Sequence, residues 1–404
     1  MGNVAIFKGK LVKFLAKAGI LVPARGDIDR SASPTAGEMA FNTNANKLEV
    51  YNGTSWDQVG GSVNGSSITG PIYSRASGVS TKVYSKSAST TLATRATNSW
   101  IIRTQPEANV WEDICWSSDL NLFCAVASTG TNRVATSPNG ITWTARTLPV
   151  TSSLLSVCWS PELKLFCAVG NSGNDRIFTS SDGITWVSRS TVLIAWRCVC
   201  WSPELGLFCA VSSDGTTRVY TSPDGINWTG RTSSEQNFWS SVCWSSELNL
   251  FCAVSLDGTN RVMTSPDGIT WTARSASQAN QWESVCWSPD LSLFCAVSNN
   301  GTDRVMISSN GINWISSPTP SSGISGKSIC WSPELGMFYI ASSIFNSGAR
   351  SFNGTSWTEI STNSSSWSGA CWSPELGIFC TVASAGTDRI MTSTYVGVRG
   401  TTKY

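Results

Sequence analysis

Seven near-copies of one phrase, each opening on Cys-Trp-Ser, recur about every 43 residues through most of this 404-residue chain. The pairs are Cys115–Trp116, Cys158–Trp159, Cys200–Trp201, Cys243–Trp244, Cys286–Trp287, Cys330–Trp331 and Cys371–Trp372. A fixed period of this length marks a solenoid, a propeller or an array, in which one unit cannot bury its apolar surface alone and neighbours must stack.

Each unit reads as four short β-prone runs. Typical runs are SVCWS, LFCAVS, TRVYTS and INWTGRT, separated by Pro-Glu-Leu-Gly, Asp-Gly-Thr and Pro-Asp-Gly. Gly tolerates positive φ and Pro presets the first turn position, so these breaks are tight turns. Runs of about five residues rich in Val, Ile, Phe, Tyr, Trp and Thr are strands, and no run has helical periodicity. Four antiparallel strands in such a length make one propeller blade. The seventh copy loses the pattern after Ser393, and the missing piece lies upstream of the first. Ser99–Trp116 matches Ile269–Trp287, with Trp100 standing where Trp271 stands. The fold expected is therefore all-β, a seven-bladed β-propeller of four-stranded antiparallel blades closed by an N-terminal strand, which leaves no open blade.

Several residue types recur in columns, which points to roles that every blade shares. Trp116, Trp159, Trp201, Trp244, Trp287, Trp331 and Trp372 form one column, and Trp100, Trp143, Trp186, Trp228, Trp271, Trp314 and Trp357 a second. Rings of this size suit contacts between blades. An arginine column, Arg133, Arg176, Arg218, Arg261, Arg304, Arg350 and Arg389, begins the third strand; stacking on Trp111, Trp196, Trp239, Trp282 and Trp367 is its expected role, and a ring around a channel mouth able to hold an anionic sugar is the alternative. Thirteen of the 14 cysteines fall in two columns nine residues apart. They are expected as free, buried thiols, because Tyr339 leaves Cys330 without a partner in the pattern. Histidine is absent, which removes the commonest metal ligand and general base, and neither a metal nor a cofactor is expected. A net charge of +2 with 13% charged residues gives no reason to expect nucleic acid as a partner.

The chain before the array differs in character. Residues 1–25 are basic and apolar, with lysines interrupting every apolar run, and read as an anchor segment that docks on protein or on a membrane surface. Residues 26–60 carry Gly-Asp, Arg, Pro, Gly-Glu-Met-Ala-Phe-Asn-Thr and then Lys-Leu-Glu-Val-Tyr-Asn-Gly-Thr-Ser-Trp. Read from its residues, this stretch is two strands, Glu38–Asn42 and Lys47–Tyr51, with a turn at Asn52-Gly53. In its order of residues it resembles a short module of bacteriophage tail fibres and other virion appendages. The resemblance implies a small β element at the attachment end, often within a trimer. Residues 61–98, rich in Ser, Thr and Gly, are expected as a linker or stalk, residues 99–393 as the propeller and 394–404 as a tail.

The turn SPDGITW (Ser265–Trp271) and its copies resemble the Asp-box turns of sialidase-like propellers, which are elements of fold rather than of catalysis. A sialidase needs arginines and acids at unique positions, whereas here both recur in every blade; the acids form the turn column Asp119, Glu162, Glu204, Glu247, Asp290, Glu334 and Glu375. No catalytic residue is assigned and an enzyme is not expected. The turns at one end of the blades barely vary between copies, while LPVTSSLL, TVLIAW, SSEQNFW, SASQANQW, SPTPSSGISG and SIFNSG, at the other end, vary freely. A recognition surface on a rigid ring would look like this. The expectation is a phage tail fibre or spike in the virion, made in the bacterial host cytoplasm. Residues 1–60 would bind other virion proteins, the stalk would favour a homotrimer, and the head would bind a host-surface glycan or protein. Gln236, Asn237, Phe238, Gln278, Asn280, Ile344 and Phe345 are the candidate contacts. A decoration protein without a receptor role is the structural alternative, and a glycan-cleaving enzyme the catalytic one.

Overall fold

The computed structural model describes residues 99–189, 193–318, 324–363 and 365–394 in full, and before them the backbone of six short strands. The expected anchor segment ahead of Ala24, the tail beyond Thr394 and part of the 317–326 loop lie outside the described residues. The chain divides into two compact units, Met1–Ser87 and Ala88–Tyr404.

In the first unit Met39–Asn42 pairs antiparallel with Lys47–Tyr51, Phe41 opposite Leu48. The sequence pattern predicts these two strands; the sheet adds Trp56–Val59 antiparallel to Lys47–Tyr51 and Ala24–Arg25 parallel to Met39–Asn42, and the expected turn at Asn52-Gly53 lies outside the described residues. Within the expected linker or stalk, Ile72–Ala76 and Val79–Val83 pair antiparallel, Ala76 opposite Val79.

Seven four-stranded antiparallel sheets follow. Blade 3 shows the pattern in Trp196–Ser202, Leu207–Ser212, Val219–Ser222 and Thr229–Arg231. The first strand of each blade packs against the first strand of the next, and that of the seventh against that of the first, which makes a ring. Trp100–Arg103 closes it by pairing with Ile390–Ser393 of blade 7, Trp100 opposite Ser393 and Arg103 opposite Ile390.

The second strand of each blade explains why a short apolar run suffices to join the ring. Alternate side chains point to opposite sheet faces, and here both faces are covered, so the run is apolar throughout. In blade 1, Phe123, Ala125 and Ala127 pack with Ile378, Cys380 and Val382 of blade 7. Cys124 and Val126 pack on the other side with Leu154, Phe166 and Phe178 of blade 2. Phe123 sits between Trp116 (ring centroids 4.5 Å apart) and Trp143 (6.2 Å). Blades 2 to 6 repeat this triplet. Both tryptophan columns therefore serve blade-to-blade contact. All fourteen cysteines are free thiols, and burial pushes every one of them above the usual thiol range.

Two polar devices repeat at the invariant end. The turn acid of one blade accepts the indole N–H of the next at every joint but that of Trp331: Glu162 from Trp201, Glu204 from Trp244 and, across the closure, Glu375 from Trp116, each at 2.6 Å. Within the turn between third and fourth strands, the Ser265 hydroxyl oxygen accepts the Gly268 N–H and the Asp267 carboxylate accepts those of Ile269 and Thr270, all at 2.8 Å. Gly268 has φ of 73°, and a Cβ there would lie 3.1 Å from the Thr221 methyl of the preceding blade. Asn139, Asn310 and Asn353 make the same bonds where other blades have Asp.

Two outcomes follow from this construction. A chain beginning at residue 105 lacks the closing strand and exposes the Ile390–Ser393 edge; its thermal unfolding should lose cooperativity, while a chain beginning at residue 99 should melt as the full chain does. For Asp224, partial burial alone would raise the carboxyl, but N–H donors from Asn227 and Ile226 outweigh it and bring it from 3.8 to about 2. Its contribution is present above the usual value and lost as pH falls toward the depressed one. Asp224→Asn should lose part of that contribution at pH 7, because an amide nitrogen cannot accept the Asn227 side-chain N–H that Oδ2 takes, and should lose less than the wild type between about pH 4 and pH 2. Asp224→Ala should cost about 1–2 kcal/mol at pH 7 by denaturant unfolding.

Candidate functional site

The turns joining first to second and third to fourth strands lie at the invariant end of the ring. The chain joins the propeller there, at Trp100, and completes its last blade there, at Ser393. The loops between second and third strands and the connections between blades lie at the opposite, variable end.

At that end the arginine column ties blades together, but not by stacking on tryptophan as the pattern predicts. A guanidinium Nη of Arg218 donates to the Asn237 carbonyl (2.6 Å), of Arg261 to Asn280 (2.8 Å), and of Arg304 to Ile324 (2.6 Å). Arg389 does the same to Asn109 across the closure. Charge-assisted bonds to carbonyls outcompete a ring face for the planar fork. Four of the five tryptophans, Trp196 excepted, use their own N–H on a carbonyl four residues earlier, as Trp239 does on Glu235 (3.1 Å). Arg350 does not belong to the column: it lies inside its strand, opposite Tyr339 and Thr358, where other blades have Thr136 or Thr179. Arg133 and Arg176 depart in another way. Each donates through Nε to Gly130 or Gly173 and makes no Nη hydrogen bond to a described residue.

The seven candidate contacts are dispersed over three regions of the rim. Asn237 and Asn280 are only 5% exposed, and their amides donate to the carbonyls of Asn260 and Asp303 at 2.7 Å. They pack against Gly258 and Gly301, as Asn109 does against Gly130, so these amides hold the loops. Gln236 is exposed and donates to the Thr216 carbonyl (2.8 Å), while Gln278 is half-buried and bonds the Asp303 carboxylate (2.8 Å). Ile344 and Phe345 are exposed in the blade 6 loop. Phe238 alone reaches inward, its ring 5.0 Å from the Arg197 guanidinium.

Arg197 belongs to a set that repeat counting overlooks. Three residues before each Cys-Trp pair stand Glu112, Leu155, Arg197, Ser240, Glu283, Lys327 and Ser368. In every blade this residue sits at an irregularity of the first-strand register, for example between Trp111 and Asp113 and between Trp196 and Cys198. A bulge re-aims a side chain; Ser240 and Ser368 turn theirs to the carbonyls of Trp282 and Trp111 in the next blade. The signal available in sequence is that one column changes its chemistry in a strand otherwise almost constant.

Four of these side chains are charged and sense one another across the ring. Lys327 pairs with Glu283 at 2.5 Å, and Asn299 donates to the same carboxylate. Burial raises the Glu112 carboxyl, opposed by the Ser128 hydroxyl bonded to it at 2.6 Å and by Arg197 and Lys327. Burial lowers Arg197, opposed by Glu283 and Glu112. Beside them at the variable end opens a cavity of about 580 Å³, lined among others by Glu112, Ser128, Arg133, Asn171, Ser172 and Arg197. No group of three or more potential metal ligands occurs among the described residues.

No family model matches the chain, and no curated protein matches it. Solved structures do. Virginiamycin B lyase from Staphylococcus aureus aligns with a TM-score of 0.63 at 12% identity, over 73% of this chain and 97% of that one. YCF48 from Cyanidioschyzon merolae aligns at 0.56 and 15% identity over 73% and 98%. YCF48 bound to D1 peptide gives 0.55 and 16% over 73% and 94%. Likeness at these identities carries the seven-bladed propeller fold and nothing of activity or partner.

The charge set yields a stability test. Lys327→Met strands the Glu283 carboxylate, which is 8% exposed, and should destabilise by about 1–3 kcal/mol, discounted because the lysine is itself 37% exposed. Glu283→Gln added to Lys327→Met should restore most of the loss, read by chemical denaturation.

Proposed function

We propose that the chain is a bacteriophage virion appendage, a tail fibre or spike, whose propeller binds a host-surface receptor at its variable end. Residues 26–60 resemble the attachment module of such appendages, so residues 1–60 would engage other virion proteins, with a homotrimer as the assembly. The observation that carries the receptor reading is a separation of ends. The preceding chain joins the ring at Trp100 on the invariant end, while the variable loops, the cavity and the charged inner residues lie at the other. A head tethered by one end presents the opposite end outward.

The reading is one of binding rather than catalysis. The chain has no histidine, and the acids of the inner set are engaged by Lys327, Asn299 and Ser128. Exposed Ile344 and Phe345 favour a second reading, in which the rim takes a protein or peptide, as YCF48 takes the D1 peptide.

Purified full chain should bind susceptible bacteria saturably, without releasing reducing sugar, and should compete with phage adsorption. Phe345→Ala together with Ile344→Ser should weaken binding roughly tenfold if apolar rim contacts contribute about 1.4 kcal/mol. Failure of the folded chain to bind any susceptible strain would favour a decoration role.

A further inference from the structure

The cavity between blades 1, 2 and 3 is chemically biased. Two guanidiniums, Arg133 and Arg197, line it against one carboxylate, Glu112. Lys327 and Asn299 already engage the Glu283 carboxylate, so it adds no unsatisfied negative charge. Arg218, Arg261, Arg304 and Arg389 spend Nη donors on a neighbouring blade's carbonyl, whereas Arg133 donates only through Nε, to Gly130 at 3.1 Å. Arg197 donates no hydrogen bond to a described residue and is held by the Phe238 ring at 5.0 Å. A planar cation fixed against an aromatic face with its N–H groups unspent is built to take coplanar oxygens from a ligand. The remaining wall is rich in hydroxyls and amides, Ser128, Thr129, Asn171 and Ser172 among them. A volume of about 580 Å³ accommodates one or two sugar rings.

From these observations we propose that the cavity is an oxyanion site for an acidic saccharide, Arg133 and Arg197 taking its carboxylate or phosphate oxygens and the polar wall its hydroxyls. The inference builds on the receptor reading by naming the chemistry of what the variable end recognises.

The test is calorimetric titration of the full chain with three probes: a glucuronate-containing disaccharide, a glycerol phosphate oligomer and neutral cellobiose. At least one acidic probe should bind tenfold or more tightly than cellobiose, with affinity falling as salt rises. Whichever acidic probe binds identifies the group as carboxylate or phosphate. Arg133→Ala should weaken that binding at least tenfold without shifting the melting temperature, since only one Nε bond holds this side chain. Arg197→Lys, which keeps the charge but loses the fork, should weaken it as well. Equal affinity for all three probes, or wild-type affinity in Arg133→Ala, overturns the proposal. Cell adsorption separates the two readings. Arg133→Ala chain that adsorbs like the wild type, uncompeted by the acidic probes, sinks the oxyanion site and leaves the receptor reading standing. Acidic saccharide bound by a chain that adsorbs to no cell does the reverse.

Discussion

A phenylalanine packed between two indoles, at the joints of blades 1 to 6, is the contact on which the ring depends. The second strand that carries it is buried on both faces, so each blade is core to two neighbours at once and no blade has a solvent face. Large rings bury on the order of 150–250 Å² each, far more than the short outer strands can. Blade 7 is built differently, because its fourth strand comes from the other end of the sequence. There Tyr339 replaces the usual cysteine in blade 6 and lies 4.7 Å from Trp100 and 5.4 Å from Phe379. Extra aromatic contact sits where chain continuity is missing.

Around that apolar frame, polar groups hand one bond from each blade to another. The turn carboxylates accept indole N–H groups at the invariant end, and the guanidiniums hold incoming carbonyls at the variable end. On the inner strands, Ser156, Ser241 and Ser284 accept the backbone N–H of Val199, Val285 and Ile329 at 3.3 Å. Asp113 takes this place in blade 1, bonding Val157. Gly369 stands in blade 7 because a Cβ there would come within 2.7 Å of the Asp113 backbone. Repetition of this kind consumes the columns of acids, arginines and tryptophans in scaffold work. The positions that break the symmetry are few, and the bulged residues of the inner strands are the most concentrated set of those.

Strand order, blade number and closure by Trp100 were all legible, because period, turn chemistry and apolar alternation agree in every copy. Residues that depend on partners distant in sequence were not. Loop position suggests that Asn237 and Asn280 are outward-facing, yet their short amides fit over a glycine and satisfy a buried carbonyl. Stacking on tryptophan looks available to the arginines until the next blade's connection supplies a carbonyl. Arg350 appears to continue a column only because the shorter blade 6 loop shifts the count, and strand register removes it.

By itself the sequence determined an architecture: seven equal units whose apolar strands cannot be satisfied except by stacking, and two chain ends that complete one blade. That follows from local periodicity and from the cost of exposed apolar surface, both of which are written residue by residue. Only the tertiary structure decided which of the unrepeated side chains meet. Glu112, Arg197, Glu283 and Lys327 are spread across more than two hundred residues and four blades, and it is the closure of the ring with a bulge on each inner strand that turns them toward one another. Electrostatic coupling acts through space, so no reading along the chain could have assembled them.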